Sequence, residues 1–422
     1  MSVVRVTTLA RIALAAIAGG AAVAPCAAVD VNGYLRPAYI GMTAGERGPL
    51  ADANRIAPGT VETTRSGPEI DSELRASGYG ISAVGWLQAQ RQEGDRWRAR
   101  GHFDELYASG SVADWQFSAG KKIVAWDVGY AFRPNDVVEQ EPRRLLLETT
   151  PEGRTLVSAE RFDASTAWSF VLVNPTHAHS ERFAAEPAFA ARVYQRDGAV
   201  DWHGFARLGA RTGASVGAAA AWVASESIEL HASARYLHRA DTLVLDANAV
   251  AAAPLGLVRI DPWTATTTHR IAQALVGGTW TNAEQMSLLG EAWWDGTALP
   301  GDAWDGWNTR SRSLASLAGG PASARAIAGN LAWQGSALGA SSSLRRANLF
   351  ARLSWQHDKW QPAIDMLWTP ADAGHVITAS VGWQGDRVRV DSGLRTYGGP
   401  SSAVLAQLPT KRVVYVAGTW SF

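Results

Sequence analysis

VVYVAGTWSF, residues 413–422, ends the chain on an alternating, aromatic-capped segment with no polar tail. Val414, Val416, Gly418, Trp420 and Phe422 fall on one side, and Tyr415, Ala417, Thr419 and Ser421 on the other. That is the two-residue period of a β-strand. One side is apolar and the other mixed.

The same period recurs upstream. Val388, Val390 and Leu394 oppose Arg387, Arg389, Asp391 and Arg395. Ile228, Leu230, Ala232, Ala234 and Tyr236 oppose Glu229, His231, Ser233 and Arg235, while Ala347, Leu349, Ala351, Leu353 and Trp355 oppose Arg346, Asn348, Phe350, Arg352, Ser354 and Gln356. A soluble sandwich would turn the apolar face inward. A membrane barrel turns it outward to lipid and leaves the polar face to a wet lumen. Three features favour the barrel. Candidate strands run about ten residues, the length of a tilted crossing. Trp or Tyr recurs at their ends, at Trp97, Tyr107, Trp280, Trp293, Trp294, Trp355, Trp360, Trp368, Trp383, Tyr397 and Trp420, as at a membrane interface. The third feature is an export signal on a chain with one cysteine, too few to staple a large secreted β domain.

That signal is read at the other end. Arg5 and Arg11 precede the apolar stretch Ile12 to Ala24, and the small residues at Cys26, Ala27 and Ala28 precede a polar, strand-like segment. This predicts a cleaved signal peptide over 1–28. The apolar stretch is too short to span a bilayer. Pro25 before Cys26 argues against lipidation, which needs a small residue there. Removing 1–28 also removes Cys26, and with it thiolate catalysis and disulfides. It leaves 37 basic against 39 acidic residues, a formal charge of −2. Such balance gives no global reason to bind nucleic acid. The remaining residues, 29–422, read as one all-β domain: a transmembrane, antiparallel, up-and-down β-barrel.

Candidate strands lie near 29–42, 77–91, 97–108, 114–126, 155–163, 166–174, 187–196, 200–211, 214–224, 228–238, 270–281, 285–295, 325–335, 345–357, 360–369, 374–384, 387–397 and 411–422. An even count of 16 to 18 is predicted, enough to enclose an aqueous lumen. Short connections such as 358–360 and 385–387 alternate with long outer loops near 44–69, 127–154, 239–269, 296–324 and 398–410.

The terminal segment, with Val414, Val416, Trp420 and Phe422 on one face, resembles the C-terminal signature of bacterial outer-membrane β-barrels; it departs from that signature at Gly418, where a larger residue is commoner. The resemblance implies a Gram-negative outer-membrane location. It also implies that these residues are an assembly signal read by the barrel-assembly machinery before the strand closes against the first one. A second stretch, GKKIVAWDVGYAFRPNDVVEQEPRR at 120–144, resembles a strand-then-loop segment of porin-like barrels that include polysaccharide-export members. There Pro134 and Pro142 take the chain out of the ladder. Arg133, Asp136, Glu139, Glu141, Arg143 and Arg144 are then candidates for a constriction loop folded into the lumen, or equally for a solvated outer loop.

Six clear strands place Arg98, Arg100, Arg207, Arg211, Arg235, Arg239, Arg346, Arg352, Arg387, Arg389 and Arg395 inward, against Asp104, Asp201, Glu229 and Asp391. Glu291 and Asp365, on other inward faces, reduce the skew. Arginine in a low-dielectric tube concentrates anions and pairs with carboxylate or phosphate. The expectation is a channel for small hydrophilic, anionic solutes or acidic saccharides. The alternatives are a plugged receptor or structural barrel and, more remotely, a rim-located hydrolase. For the last, His102 with Asp104 and Glu105, or His177, His179, Ser180 and Glu181 in THAHSER, are the candidates. Neither lies in a known catalytic motif, and no phosphate loop, dinucleotide fingerprint or zinc-protease pattern occurs, so an enzyme is not expected. WWDGTALPGDAWDGWN at 293–308 offers stacking surfaces for a sugar or, more simply, interface anchors and loop packing; Asp302 and Asp305 lack the spacing of a calcium loop. No cofactor and no metal is expected. Expected partners are outer-membrane lipid and lipopolysaccharide, the assembly machinery, and the solute.

Overall fold

The computed structural model describes residues 29–62, 64–92, 95–138, 146–147, 149–174, 186–246, 257 and 261–422. The predicted signal peptide, Glu139, Glu141, Arg143 and Arg144 of the candidate loop, and THAHSER lie outside the described residues.

Eighteen strands follow one another: β1 (Asp30–Ala44), β2 (Gly67–Gly78), β3 (Ile81–Gln90), β4 (Arg98–Val112), β5 (Trp115–Lys122), β6 (Arg154–Phe162), β7 (Thr166–Val173), β8 (Ala188–Asp197), β9 (Val200–Gly209), β10 (Gly213–Ser225), β11 (Ile228–Leu245), β12 (Trp263–Thr281), β13 (Met286–Asp295), β14 (Ala347–Trp355), β15 (Trp360–Thr369), β16 (Gly374–Gln384), β17 (Val388–Gly398) and β18 (Thr410–Ser421). Each pairs antiparallel with its sequence neighbours, and β1 pairs with β18 through Leu35 opposite Trp420 and Ala38 opposite Ala417, so the sheet closes on itself. Closure leaves no unpaired edge, which hydrocarbon would penalise by several kcal/mol per lost backbone partner.

The outer surface is the apolar face of every strand. Leu208, Val276, Val414 and Val416 are each about half or more exposed, without a protein neighbour to cover them. At the end where the chain enters and leaves the barrel, Trp202, Trp222, Trp280, Trp355, Trp360, Trp420 and Phe422 ring the outside; at the other end Tyr39, Phe189, Tyr236, Trp294 and Trp368 do so. Two aromatic girdles flanking an apolar band are the signature of a barrel in a bilayer. Trp293, Tyr107 and Tyr397, read from sequence as girdle residues, depart from this. Trp293 is buried against the inward Phe132 and lies inside; Tyr107 lies under Lys122 and Tyr397 lines an interior cavity.

Two predicted elements are corrected. Residues 325–335 form no strand: Ala324–Trp333 is a helix, because Ile327, Ala328 and Leu331 recur at helical spacing and bury one face. The strand it displaced is β2, whose lipid face is Ile70 and Leu74 and whose inner face is Glu69, Asp71 and Glu73. So much charge made it read as loop. The alternation that breaks at Glu105 and Leu106 is a β-bulge: Val84 faces Glu105 and Gly85 faces Phe103, leaving Asp104 as the extra residue.

One end carries only short turns; the other carries the long connections. Three of the latter build a helical cap. Helix α1 (Pro49–Ile56) follows β1, and α2 (Gly301–Ala315) and α3 (Ala324–Trp333) follow β13. Ala53, Leu314, Ile327, Ala328 and Leu331 form one small core between them. Trp304 and Trp307 meet edge to face at 5.4 Å in a second core with Val404 of the β17–β18 connection. No described helix is long and apolar enough to cross a membrane.

Candidate functional site

The connection after β5 does not stay at the rim. Residues 123–138 fold inward and follow the wall: Trp126, Val137 and Val138 pack on β6 to β10, and the tip at Ala131 and Phe132 reaches β12 to β14. The loop first braces itself. The Asp136 carboxylate accepts the backbone N–H groups of Trp126 and Asp127 at 2.9 and 3.0 Å, and the Asp127 carboxylate those of Val128 and Asn135 at 2.8 and 2.6 Å. Carboxylates in such places are stable only when hydrogen-bonded.

It then bonds to the wall. The Ser233 hydroxyl donates to Asp127 at 2.7 Å, and the Asn135 amide donates to Ser233 Oγ and to the Ala234 carbonyl at 2.8 and 3.1 Å. Arg235 donates to the Pro134 carbonyl at 3.0 Å. Asn135 can come this close because Gly217 lies beneath it: a Cβ there would meet Asn135 Oδ1 at 1.8 Å. At the tip, Tyr130 stacks on Phe350 at 5.8 Å between centroids and Phe132 on Trp293 at 5.7 Å. The returning arm passes the opposite wall, where Arg75 donates to Thr150 Oγ1 at 2.9 Å and Gly153 N–H to the Asp104 carbonyl at 2.9 Å.

Of the interior cavities among the described residues, three are lined by the sequence-predicted arginines. The one at the turn end, about 1040 Å³, is lined by Arg36, Arg352, Arg389 and Arg395 with Asp365 and Asp391. The one at the loop end, about 690 Å³, is lined by Arg154, Arg207, Arg235 and Arg239 with Asp136, Glu186 and Asp241. A smaller one of about 270 Å³ shares Phe350, Asp365, Thr378 and Arg395 with the first and Ser341 and Ser342 with the second. The small cavity therefore adjoins both, meeting the first along β14–β17 and the second at Ser341 and Ser342 of the β13–β14 connection.

The sequence-predicted arginines divide by place. Arg207, Arg235, Arg239, Arg352, Arg389 and Arg395 line these cavities. Three of the six have acidic partners: Arg207 with Glu186 at 2.9 Å, Arg352 with Asp365 at 2.9 Å, and Arg389 with Asp391 at 2.8 Å. Arg395 makes no ion pair among the described residues and donates to Thr378 Oγ1 at 2.8 Å. Arg100 donates to Gln88 at 2.9 Å and lies over Trp86. Arg98 pairs with Asp95 on the exposed surface, and Arg211, itself half exposed, with Asp241, which lines the loop-end cavity. Arg346 bonds the Ala298 carbonyl at 3.0 Å and lies over the outward Trp294, so it belongs to the rim. Arg387 is exposed in the turn before β17. In the candidate constriction set, Arg133 and Asp136 lie in the inward loop, 3.8 Å apart. Val414, Val416, Trp420 and Phe422 all point outward.

Several lumen residues escaped the sequence reading. Arg36 of β1 pairs with Asp71 of β2 at 3.1 Å, hidden because β2 was read as loop; the alternating Glu69, Asp71 and Glu73 were the available signal. Outside the inward loop, Glu186 is tightly held. Desolvation by burial would raise its carboxyl, but the Thr212 hydroxyl, the Arg211 and Thr212 N–H groups and Arg207 hold it down at about 2. His102 Nε2 contacts Asp104 Oδ1 at 2.9 Å and the ring packs on Trp86 at 4.9 Å. Among the described residues no serine hydroxyl reaches His102, and no three potential ligands gather for a metal. Trp304 and Trp307 are interior to the cap, their ring N–H groups donating at 2.9 Å to the carbonyls of Leu344 and Gln334, and offer no face to a sugar.

No family model and no curated protein matches the chain. Solved structures do. OccAB1 of Acinetobacter baumannii superposes with a TM-score of 0.53 at 8% identity, over 93% of this chain and 96% of that one. OccK5 (OpdH) of Pseudomonas aeruginosa gives 0.51 at 7% identity, over 93% and 98%. OpdK of the same organism, solved with vanillate, gives 0.53 at 8% identity, over 93% and 98%. The likeness is one of fold, a closed, antiparallel, porin-like barrel.

Proposed function

We propose that this chain is a channel of the bacterial outer membrane that passes small hydrophilic solutes and favours anions. One observation carries the preference: the two larger cavities are lined by eight arginines against five carboxylates, and Arg395, which lines two adjoining cavities, makes no ion pair among the described residues. A cation in a low-dielectric tube attracts anions and repels cations. The arginine excess is smaller than the strand faces alone suggest, because Asp365, Glu186 and Asp241 stand beside their arginines. Vanillate, named with the similar barrel OpdK, is a small anion of the proposed class. The apolar belt and its two girdles support the membrane location.

The test is electrical. Purified protein reconstituted in a planar bilayer under a salt gradient should conduct with a reversal potential on the anion side; a cation-side potential overturns the preference. A second reading rests on the loop bonded inside the lumen and the cap above it: a plugged receptor. Absence of conductance in every voltage range would favour that reading. A hydrolase would need a nucleophile beside His102.

A further inference from the structure

We infer that Glu291 is the positioning residue that sets the bore, by latching the tip of the inward loop to the wall. Its consequence for transport rests on the channel reading above; the latch itself does not. The Glu291 carboxylate is buried inside the barrel and takes the backbone N–H of Tyr130 on Oε1 at 2.6 Å and that of Ala131 on Oε2 at 2.7 Å. His231 Nε2 approaches Oε1 at 2.9 Å from the other side. Two adjacent peptide groups held by the two oxygens of one carboxylate fix the loop in position and in orientation.

The wall is built for this contact. His231, Gly277, Glu291 and Phe350 are direct neighbours in register across β11, β12, β13 and β14. His231 and Glu291 stand two strands apart, about 10 Å at the backbone. They meet only because the residue between them has no side chain: a Cβ on Gly277 would lie 2.5 Å from His231 Nε2 and 2.7 Å from Glu291 Cγ. The same row supplies Phe350, on which Tyr130 stacks, and Arg352 lies over the Tyr130 ring at 5.9 Å. Tyr130 and Phe350 both line the turn-end cavity, and Phe350 also lines the cavity that follows it. Moving the 130–131 peptide therefore moves the ring that borders the passage. Asp127, Asn135 and Arg235 anchor the base of the loop separately, so loss of Glu291 frees the tip alone.

Hydrogen exchange of the whole protein in detergent reads the latch without reference to transport. In Glu291→Ala, peptides over 128–132 should exchange about tenfold faster or more, with 134–138 and the strands unchanged. Gly277→Ala, which leaves the latch atoms in place but forces them apart, should do the same; Glu291→Gln, keeping one acceptor, should fall between. In bilayers the wild type should hold a steady level and both alanine variants should flicker among sublevels. Unchanged exchange at 128–132 in both alanine variants overturns the latch. Faster exchange with an unaltered current overturns its control of the bore. A silent wild type defeats the channel reading while the exchange result stands.

Discussion

Arg395 is where a single side chain carries most of the proposed selectivity. It donates to Thr378, lies where the turn-end cavity meets the next, and makes no ion pair among the described residues. Arg395→Glu should move the reversal potential toward cations by more than Arg389→Glu, whose arginine already has Asp391 beside it; equal shifts in the two variants would refute the ranking. Glu186 makes a different prediction. Its folded carboxyl lies at about 2, below the ordinary glutamate range near about 4.3, so its contribution to stability is complete above the higher value and is lost as pH falls through the lower. Exchange of the 209–213 turn, taken relative to the intrinsic rate at each pH, should therefore be flat down to about pH 4 and rise between about pH 4 and pH 2. Glu186→Gln should flatten that rise.

At the level of elements, the strands were legible where their inner face was mixed and their outer face apolar, as in β11, β14 and β17. β2 was not, because three acids on its inner face look like a solvated segment until the lumen is known to hold Arg36. The reverse error fell on α3, whose alanines satisfy a weak alternation as readily as a helix. Its helical state depends on packing against α1 and α2, contacts that no local window contains. Trp307 is fully buried in that cap and bonds Gln334. Trp307→Ala should destabilise the cap by about 3–5 kcal/mol, the usual cost of emptying a tryptophan site. Limited proteolysis should then cut within 296–346, while the barrel keeps its heat-modifiable mobility on gels. Loss of the barrel band as well would mean that cap and barrel fold as one unit.

For the molecule as a whole, the barrel closes where β18 meets β1. β18 presents Val414, Val416, Trp420 and Phe422 to the outside, and the backbone of Phe422 exchanges two hydrogen bonds with Gly33 at 3.0 and 3.1 Å. Phe422→Asp places a charge in the girdle at the closing seam. It should lower the yield of heat-modifiable barrel in cells; a normal yield would argue against this segment as an assembly signal. A charge at the apolar belt, Val276→Lys, should cost about 2–4 kcal/mol if that position lies near the bilayer midplane. Unfolding in lipid vesicles measures it. Barrel architecture was present in the sequence because it is written in a two-residue period: each strand declares its lipid face locally, wherever its partners are. The passage was decided by tertiary structure alone. Asn135 meets Ser233 and Tyr130 meets Glu291 across about a hundred residues or more, and whether an inward arginine is free or paired depends on which neighbouring strand carries an acid at the same level. No local pattern encodes those distances, because they exist only after the barrel has closed and the loop has folded into it.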